Sequence, residues 1–169
     1  MKRNVIKTHT LKILSISFFL GIFTSQVNWN NFMLVSANAG IADTALQRVI
    51  RDHEFVMGID EDVSIRHINA KMYPFNYKIS EDFPYEVRYL NHCGFGGVGA
   101  FYMIFQGKYG DISFFLTNST SEESFHTNKG ERKGFTMPFG ELSIVLIGNK
   151  NEDLENVADV IITTAEKIK

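Results

Sequence analysis

Residues 100–117 read AFYMIFQGKYGDISFFLT. Two aromatic-rich runs, AFYMIFQ (100–106) and DISFFLT (111–117), flank Gly107-Lys108-Tyr109-Gly110, and apolar runs separated by a short glycine-bounded segment predict a β-hairpin. Successive side chains of a strand point to opposite faces. Phe101, Met103 and Phe105 therefore share one face against Tyr102 and Ile104, and Ile112, Phe114 and Leu116 share one against Phe115. Apolar residues on both faces predict central strands, covered on both sides.

Working outward, YEVRYLNH (85–92) reads as a strand that runs into the glycine-rich NHCGFGG (91–97). ELSIVLIG (141–148) is another buried strand, and Thr136-Met137-Pro138 before it can pair only at an edge, because proline has no N–H to give a ladder. The polar, turn-rich NSTSEESFHTNKGERKG (118–134) predicts a loop with the composition of a mobile segment. Towards the N-terminus the period changes to three and four. Ala42, Ala45, Leu46, Val49, Ile50, His53 and Val56 form one stripe of a helix that begins at Gly40 and ends near Gly58. Ser64 is an N-cap for a shorter helix with Ile65, Ile68 and Met72 on one face, stopped by Pro74. A final helix is predicted with Asn151 as its cap and Glu152, Asp153 and Glu155 at the positive end of its dipole. Its core stripe is Leu154, Val157, Ala158, Ile161, Ile162, Ala165 and Ile168. The predicted class is α+β, with an antiparallel sheet of four to five strands packed with two N-terminal helices and one C-terminal helix.

The chain has 169 residues, room for one well-packed domain, and shows no internal repeat. Residues 1–39 hold four of the seventeen Lys and Arg and no Asp or Glu, so residues 40–169 carry thirteen basic against nineteen acidic side chains. A mildly acidic body excludes non-specific nucleic-acid binding, which needs a basic face to release counterions. The first 39 residues look like an address. MKRNVIKTHTLK is basic, ILSISFFLGIF (13–23) is apolar and uncharged, and this is the order of an export signal. The uncharged stretch continues to Val35 with Trp29 at an interfacial position, while Ala37-Asn38-Ala39 has the small-x-small form of a signal-peptidase site. Two readings stand side by side. Either residues 13–35 anchor the chain in the inner membrane facing the periplasm, or cleavage after Ala39 releases a soluble periplasmic domain beginning at Gly40. The domain division is then 1–39, signal or anchor, and 40–169, one exported domain.

The residue types that carry chemistry are sparse. His92 stands beside Cys93, the one cysteine of the chain, followed by Gly94, Gly96 and Gly97. This cluster is a functional or structural junction. Neighbours on a regular strand face opposite ways, so the imidazole and thiol would not meet, and the plain expectation is a small buried thiol beside a tight turn. A lone cysteine in an exported chain has no internal disulfide partner. His53, His67, His92 and His126 lack metal-ligand spacing, with His53 a half-buried helix residue and His126 a solvated loop residue. Gly94-Phe95-Gly96-Gly97 lacks the Lys-Ser/Thr of a phosphate loop. Glu122-Glu123 reads as solvated charge. No catalytic residue, metal or cofactor is expected.

Three segments carry a resemblance: NAKMYPFN (69–76), HCGFGGVGAFYMIFQGKYGDISFFLT (92–117) and FTMPFGELSIVLIGNKNEDLE (135–155). Over residues 40–169 the chain resembles the exported part of domain-of-unknown-function family 3379, single-pass bacterial membrane proteins. The resemblance rests on a cysteine ending one strand, a hairpin around a Gly turn, a strand ending in Ile-Gly and a -DLE- helix start. Larger relatives resemble anti-sigma factors with a cytoplasmic segment ahead of the membrane helix; about a dozen residues precede the apolar run here, too few to fold a sigma-binding domain, so the expectation is a chain without that segment. The resemblance implies an exported domain of unknown activity on or near the inner membrane and offers no catalytic residues to transfer; an envelope protein is the expected partner. Two functions follow from different classes: a non-enzymatic sensing or partner-binding domain, and a small periplasmic thiol enzyme using Cys93.

Overall fold

A computed structural model describes the backbone of residues 29–56 and 58–168, with side chains from residue 40 onward. The chain divides into two compact units, Met1–Ser36 and Ala37–Lys169. The basic start and apolar run of the address lie outside the described residues, as does the anchor segment up to residue 28. Among the described residues, no helix is long and apolar enough to cross a membrane.

Helix α1 spans Trp29–Val56 and α2 spans Ile65–Met72, followed by a 3-10 turn at Tyr73–Phe75. Strands β1 (Tyr77–Ile79), β2 (Val87–Phe95), β3 (Val98–Gln106), β4 (Asp111–Thr117), β5 (Phe125–Lys129), β6 (Arg132–Phe139) and β7 (Leu142–Asn149) follow. Helix α3 (Leu154–Thr164) and a short β8 (Ala165–Lys167) close the chain. The main sheet is fully antiparallel in the order β2-β3-β4-β7-β6-β5, and β1 pairs with β8 in a separate two-stranded sheet.

The aromatic hairpin sits in the middle, as its two apolar faces require. One face carries Phe101, Met103, Phe105, Ile112, Phe114, Leu116, Ile144 and Leu146, packed with Ile68 and Met72 of α2 and Leu154, Val157, Ala158 and Ile161 of α3. On the other, Tyr102, Ile104, Phe115, Val145 and Ile147 pack with Ile41, Ala45, Leu46 and Val49 of α1. Helices cover both faces, so every side chain of the interior strands β3 and β4 from Ala100 to Phe105 and from Ile112 to Thr117 is buried.

The class is α+β with three helices and an antiparallel sheet, but the main sheet has six strands rather than four to five. The predicted loop 118–134 hides the difference. It contains β5 and the start of β6, paired from Phe125↔Thr136 to Lys129↔Arg132. Both faces of β5 are largely exposed, so its side chains show no apolar alternation. Backbone pairing at an edge does not need one. The edge expectation for Thr136-Met137-Pro138 fails at Thr136, which pairs with Phe125 of β5 and Val145 of β7; it holds for Pro138, which pairs with Ser143 of β7 beyond the last residue that β5 matches.

Helix details are also corrected. Helix α1 runs through Gly40 from Trp29 rather than beginning there; Ile50 and His53 are exposed, and Ile41 joins the buried face instead. Periodicity shows which residues lie on one side of the helix, but not how many of them the sheet covers. Ser64 caps α2 as expected, its Oγ accepting from the His67 N–H. Asp153, not Asn151, caps α3 by accepting from the Asn156 N–H at 3.2 Å. Helix α3 stops at Thr164, and Ala165 and Ile168 leave the predicted stripe, because the chain turns extended to pair with Tyr77–Ile79.

Candidate functional site

The junction at residues 92–97 closes the β2–β3 hairpin. Phe95 pairs with Val98, leaving Gly96 and Gly97 as the two-residue turn with φ of 58° and 92°. Positive φ at both central residues is the requirement of a type I′ turn, which matches the twist of the flanking strands and which glycine meets without steric cost. Gly94 and Gly99 face each other one pair back along the ladder. The glycines are explained by the turn.

His92 and Cys93 point to opposite faces. The His92 ring lies against Phe101 and Phe75, and its Nε2–H donates to the Lys71 carbonyl at 2.6 Å, tying β2 to α2. Cys93 packs against the α1 side of the sheet and is half-buried rather than fully buried. Burial pushes its thiol pKa up; Arg48 pulls it down, and Asp52 offsets that pull. The thiolate, the reactive form, is therefore disfavoured. The other histidines stay apart. His67 is exposed on α2, and His126, predicted in a loop, lies on β5 with its Nε2 at 2.6 Å from Glu155 Oε1 and its ring against Phe135. Among the described residues, no group of three or more His, Cys, Asp or Glu gathers as a metal ion would require.

A cleft of about 330 Å³ opens elsewhere, at the end of the sheet where β3 and β7 finish and β4 and β6 begin. Its apolar wall is Val49 and Val56 of α1 with Ile104, and Tyr102 and Ser113 form its polar floor. Tyr102 is 1% exposed and stacks on Phe115 at 4.4 Å and 6°. Its hydroxyl lies 3.4 Å from Ser113 Oγ. Burial drives the Tyr102 phenol up to about 12, so it stays protonated throughout the neutral range.

The rim comes from turns. Tyr109, Gly110 and Asp111 supply one side; Glu131, Arg132 and Asn149 supply the other. The Tyr109 turn is pinned from beneath by Glu152, whose buried carboxylate accepts the N–H of Lys108 at 3.1 Å and of Tyr109 at 2.8 Å. The residue expected to serve the helix dipole thus holds a hairpin turn instead. None of the cleft residues was singled out in the sequence as a site, apart from His53 as a helix residue. The available signal was Ser113, a hydroxyl in an otherwise apolar strand at a position fully covered on both sides.

The sequence signature of a protein of unknown function, DUF3379, matches residues 6–165. The chain belongs to the DUF3379 family. The match extends beyond the residues 40–169 that carry the resemblance and takes in most of the basic and apolar N-terminal segment as well. Neither a curated protein nor a solved structure matches the chain. For this DUF3379 chain, function has to be argued from the cleft and its surroundings.

Proposed function

We propose that this DUF3379 chain is a non-enzymatic domain of the cell envelope, anchored in the inner membrane through residues 13–35 or released to the periplasm after Ala39, which senses by binding at the cleft. Resemblance to anti-sigma-like membrane proteins suggests an envelope response as what it reports to. The cleft carries the reading. Its floor is a buried phenol and hydroxyl that remain neutral hydrogen-bonding groups, and its wall is apolar, the usual composition of a recognition site. Cys93, the nucleophile of the alternative thiol enzyme, stands on β2 outside that cleft with its thiol held neutral and His92 on the opposite face. No observation favours the enzyme over the binding domain.

Three measurements test this. An enzyme reporter active only outside the cytoplasm, fused after Lys169, is expected to be active; an inactive fusion with an active cytoplasmic reporter overturns the placement. A photo-crosslinking residue at Tyr109, on the rim, is expected to add a discrete mass to the chain in intact cells, while one at Val98 at the far end of β3 adds none. Equal labelling at both positions, or none, removes the cleft as the binding surface. Cys93 is expected to react with an alkylating probe at neutral pH more slowly than a free thiol. Fast labelling would revive the thiol enzyme.

A further inference from the structure

The charges around the cleft are unequal in a way that defines a ligand. Two carboxylates line it, and each is already taken by a cation from outside. Asp111 Oδ1 lies 3.3 Å from Arg88 Nη1, and Glu131 Oε2 lies 2.7 Å from Lys150 Nζ. Arg132 also lines the cleft, half-buried, and among the described residues nothing forms a hydrogen bond or ion pair with its guanidinium. With the acids neutralised, the cleft keeps one permanent positive charge beside an apolar wall and a hydroxyl floor.

Resting on the sensing role argued above, we propose that the cleft binds a small organic monocarboxylate, its carboxylate on Arg132 and its apolar body against Val49, Ile104 and the Tyr102 ring. Several observations select this class. A guanidinium presents a planar fork that matches a carboxylate through two parallel N–H···O bonds. A phosphate dianion would call for a second permanent cation or a cradle of backbone N–H groups, and among the described residues that line the cleft the other unpaired basic side chain is His53. A cationic ligand would meet Arg132 with both acids already engaged. The volume, about 330 Å³, sits at the small end of ligand clefts and suits a single ring or a short chain. The Tyr102 and Ser113 hydroxyls and the side-chain NH2 of Asn149, whose Oδ1 already accepts the Asn151 N–H, give a second polar group on the ligand places to bond.

The test uses the full chain in detergent micelles and ligand-observed magnetisation transfer with four probes: benzoate, benzamide, benzylamine and inorganic phosphate. Benzoate is expected to bind saturably, with benzamide and benzylamine at least about tenfold weaker, the cost of losing one charge-assisted contact. Arg132→Gln should weaken benzoate about tenfold with the melting temperature unchanged, and Arg132→Lys should recover part of the loss. Equal affinity for benzamide overturns the carboxylate assignment without needing any variant. Displacement of benzoate by phosphate at similar concentration overturns it too, because the apolar wall would then contribute nothing. Unaltered benzoate binding in Arg132→Gln removes Arg132 as the anchor. These failures leave the envelope role standing, since the reporter fusion judges that separately; benzoate binding beside an inactive fusion would do the reverse.

Discussion

The β3–β4 and β5–β6 hairpins of the main sheet are built from opposite materials. Strands β3 and β4 hold aromatic and aliphatic side chains on both faces and are buried along almost their whole length. Strands β5 and β6 carry His, Thr, Asn, Lys and Arg, and β5 has no fully buried side chain. Both hairpins are complete antiparallel ladders. A strand therefore needs hydrophobic side chains only to the extent that layers are stacked upon it; at an edge, backbone pairing and one or two anchoring residues suffice. In the outer hairpin the main anchor is Phe135, 7% exposed and in contact with the His126 ring.

The sharpest way to break this comparison is to truncate an aromatic residue in each hairpin. Phe101→Ala or Phe115→Ala, both at 0% exposure, should cost about 3–5 kcal/mol in a denaturant titration, through lost transfer energy plus a cavity. Phe125→Ala on β5 should cost less than about 1 kcal/mol; a comparable loss there would show that the outer hairpin is as tightly coupled as the inner one.

Next comes the share of the inner hairpin's Tyr102 in the alkaline limb, beside those of Tyr85 and Cys93, which burial also raises. The Tyr102 phenol rises in the fold from 10.0 to about 12, so its neutral form is favoured when folded. That contribution is present in full below pH 10 and is lost as pH rises towards 12, roughly 2–3 kcal/mol in all at 1.36 kcal/mol per unit. Tyr102→Phe should remove this part of the pH dependence, which urea midpoints between pH 9 and 12 would detect. An unchanged slope would mean that the phenol ionises freely in the folded chain.

Glu152 tests how the inner turn is held. Glu152→Ala leaves the Lys108 and Tyr109 N–H groups without their carboxylate and should cost about 2 kcal/mol, with faster amide exchange at those two positions. Exchange rates unaltered at both would place the turn's stability elsewhere. In the outer hairpin, Gly134→Ala would bring a Cβ to 2.8 Å from Thr127 Oγ1 and 2.9 Å from Ile147 Cδ1, and about 1–2 kcal/mol of overpacking is expected. A stabilised variant would show that this ladder has slack. The smallest effect is at its surface: His126→Ala removes an exposed contact with Glu155 and the ring's packing on Phe135, and should change stability by less than about 1 kcal/mol in the same titration.

The same contrast explains what could be read in advance. The aromatic runs at 100–117, the buried strand at 141–148 and the Ser64 cap were legible because each is a local pattern with one physical cause. The polar strand β5 was not, since an exposed edge strand and a loop share the same composition. Ile50 and His53 looked like core because helical periodicity shows which residues lie on one side, but not how wide a partner covers them. His92 and Cys93 drew attention by adjacency, yet strand geometry sends them to different layers, and the glycines after them serve a turn. The cleft was invisible for a related reason. Val49, Tyr102, Ser113, Arg132 and Asn149 come from five different elements and share no spacing.

By itself, the sequence determined the class, the hairpin at the centre, the glycine turn at 96–97 and the membership of the DUF3379 family, because these depend on interactions between near neighbours or on patterns along the chain. Only the tertiary structure decided the strand order β2-β3-β4-β7-β6-β5, the use of Glu152 as a tie to a turn over forty residues away, and the meeting of Arg132 with Tyr102 at one cleft. Those rest on contacts between distant segments, and only closure of the chain brings them together.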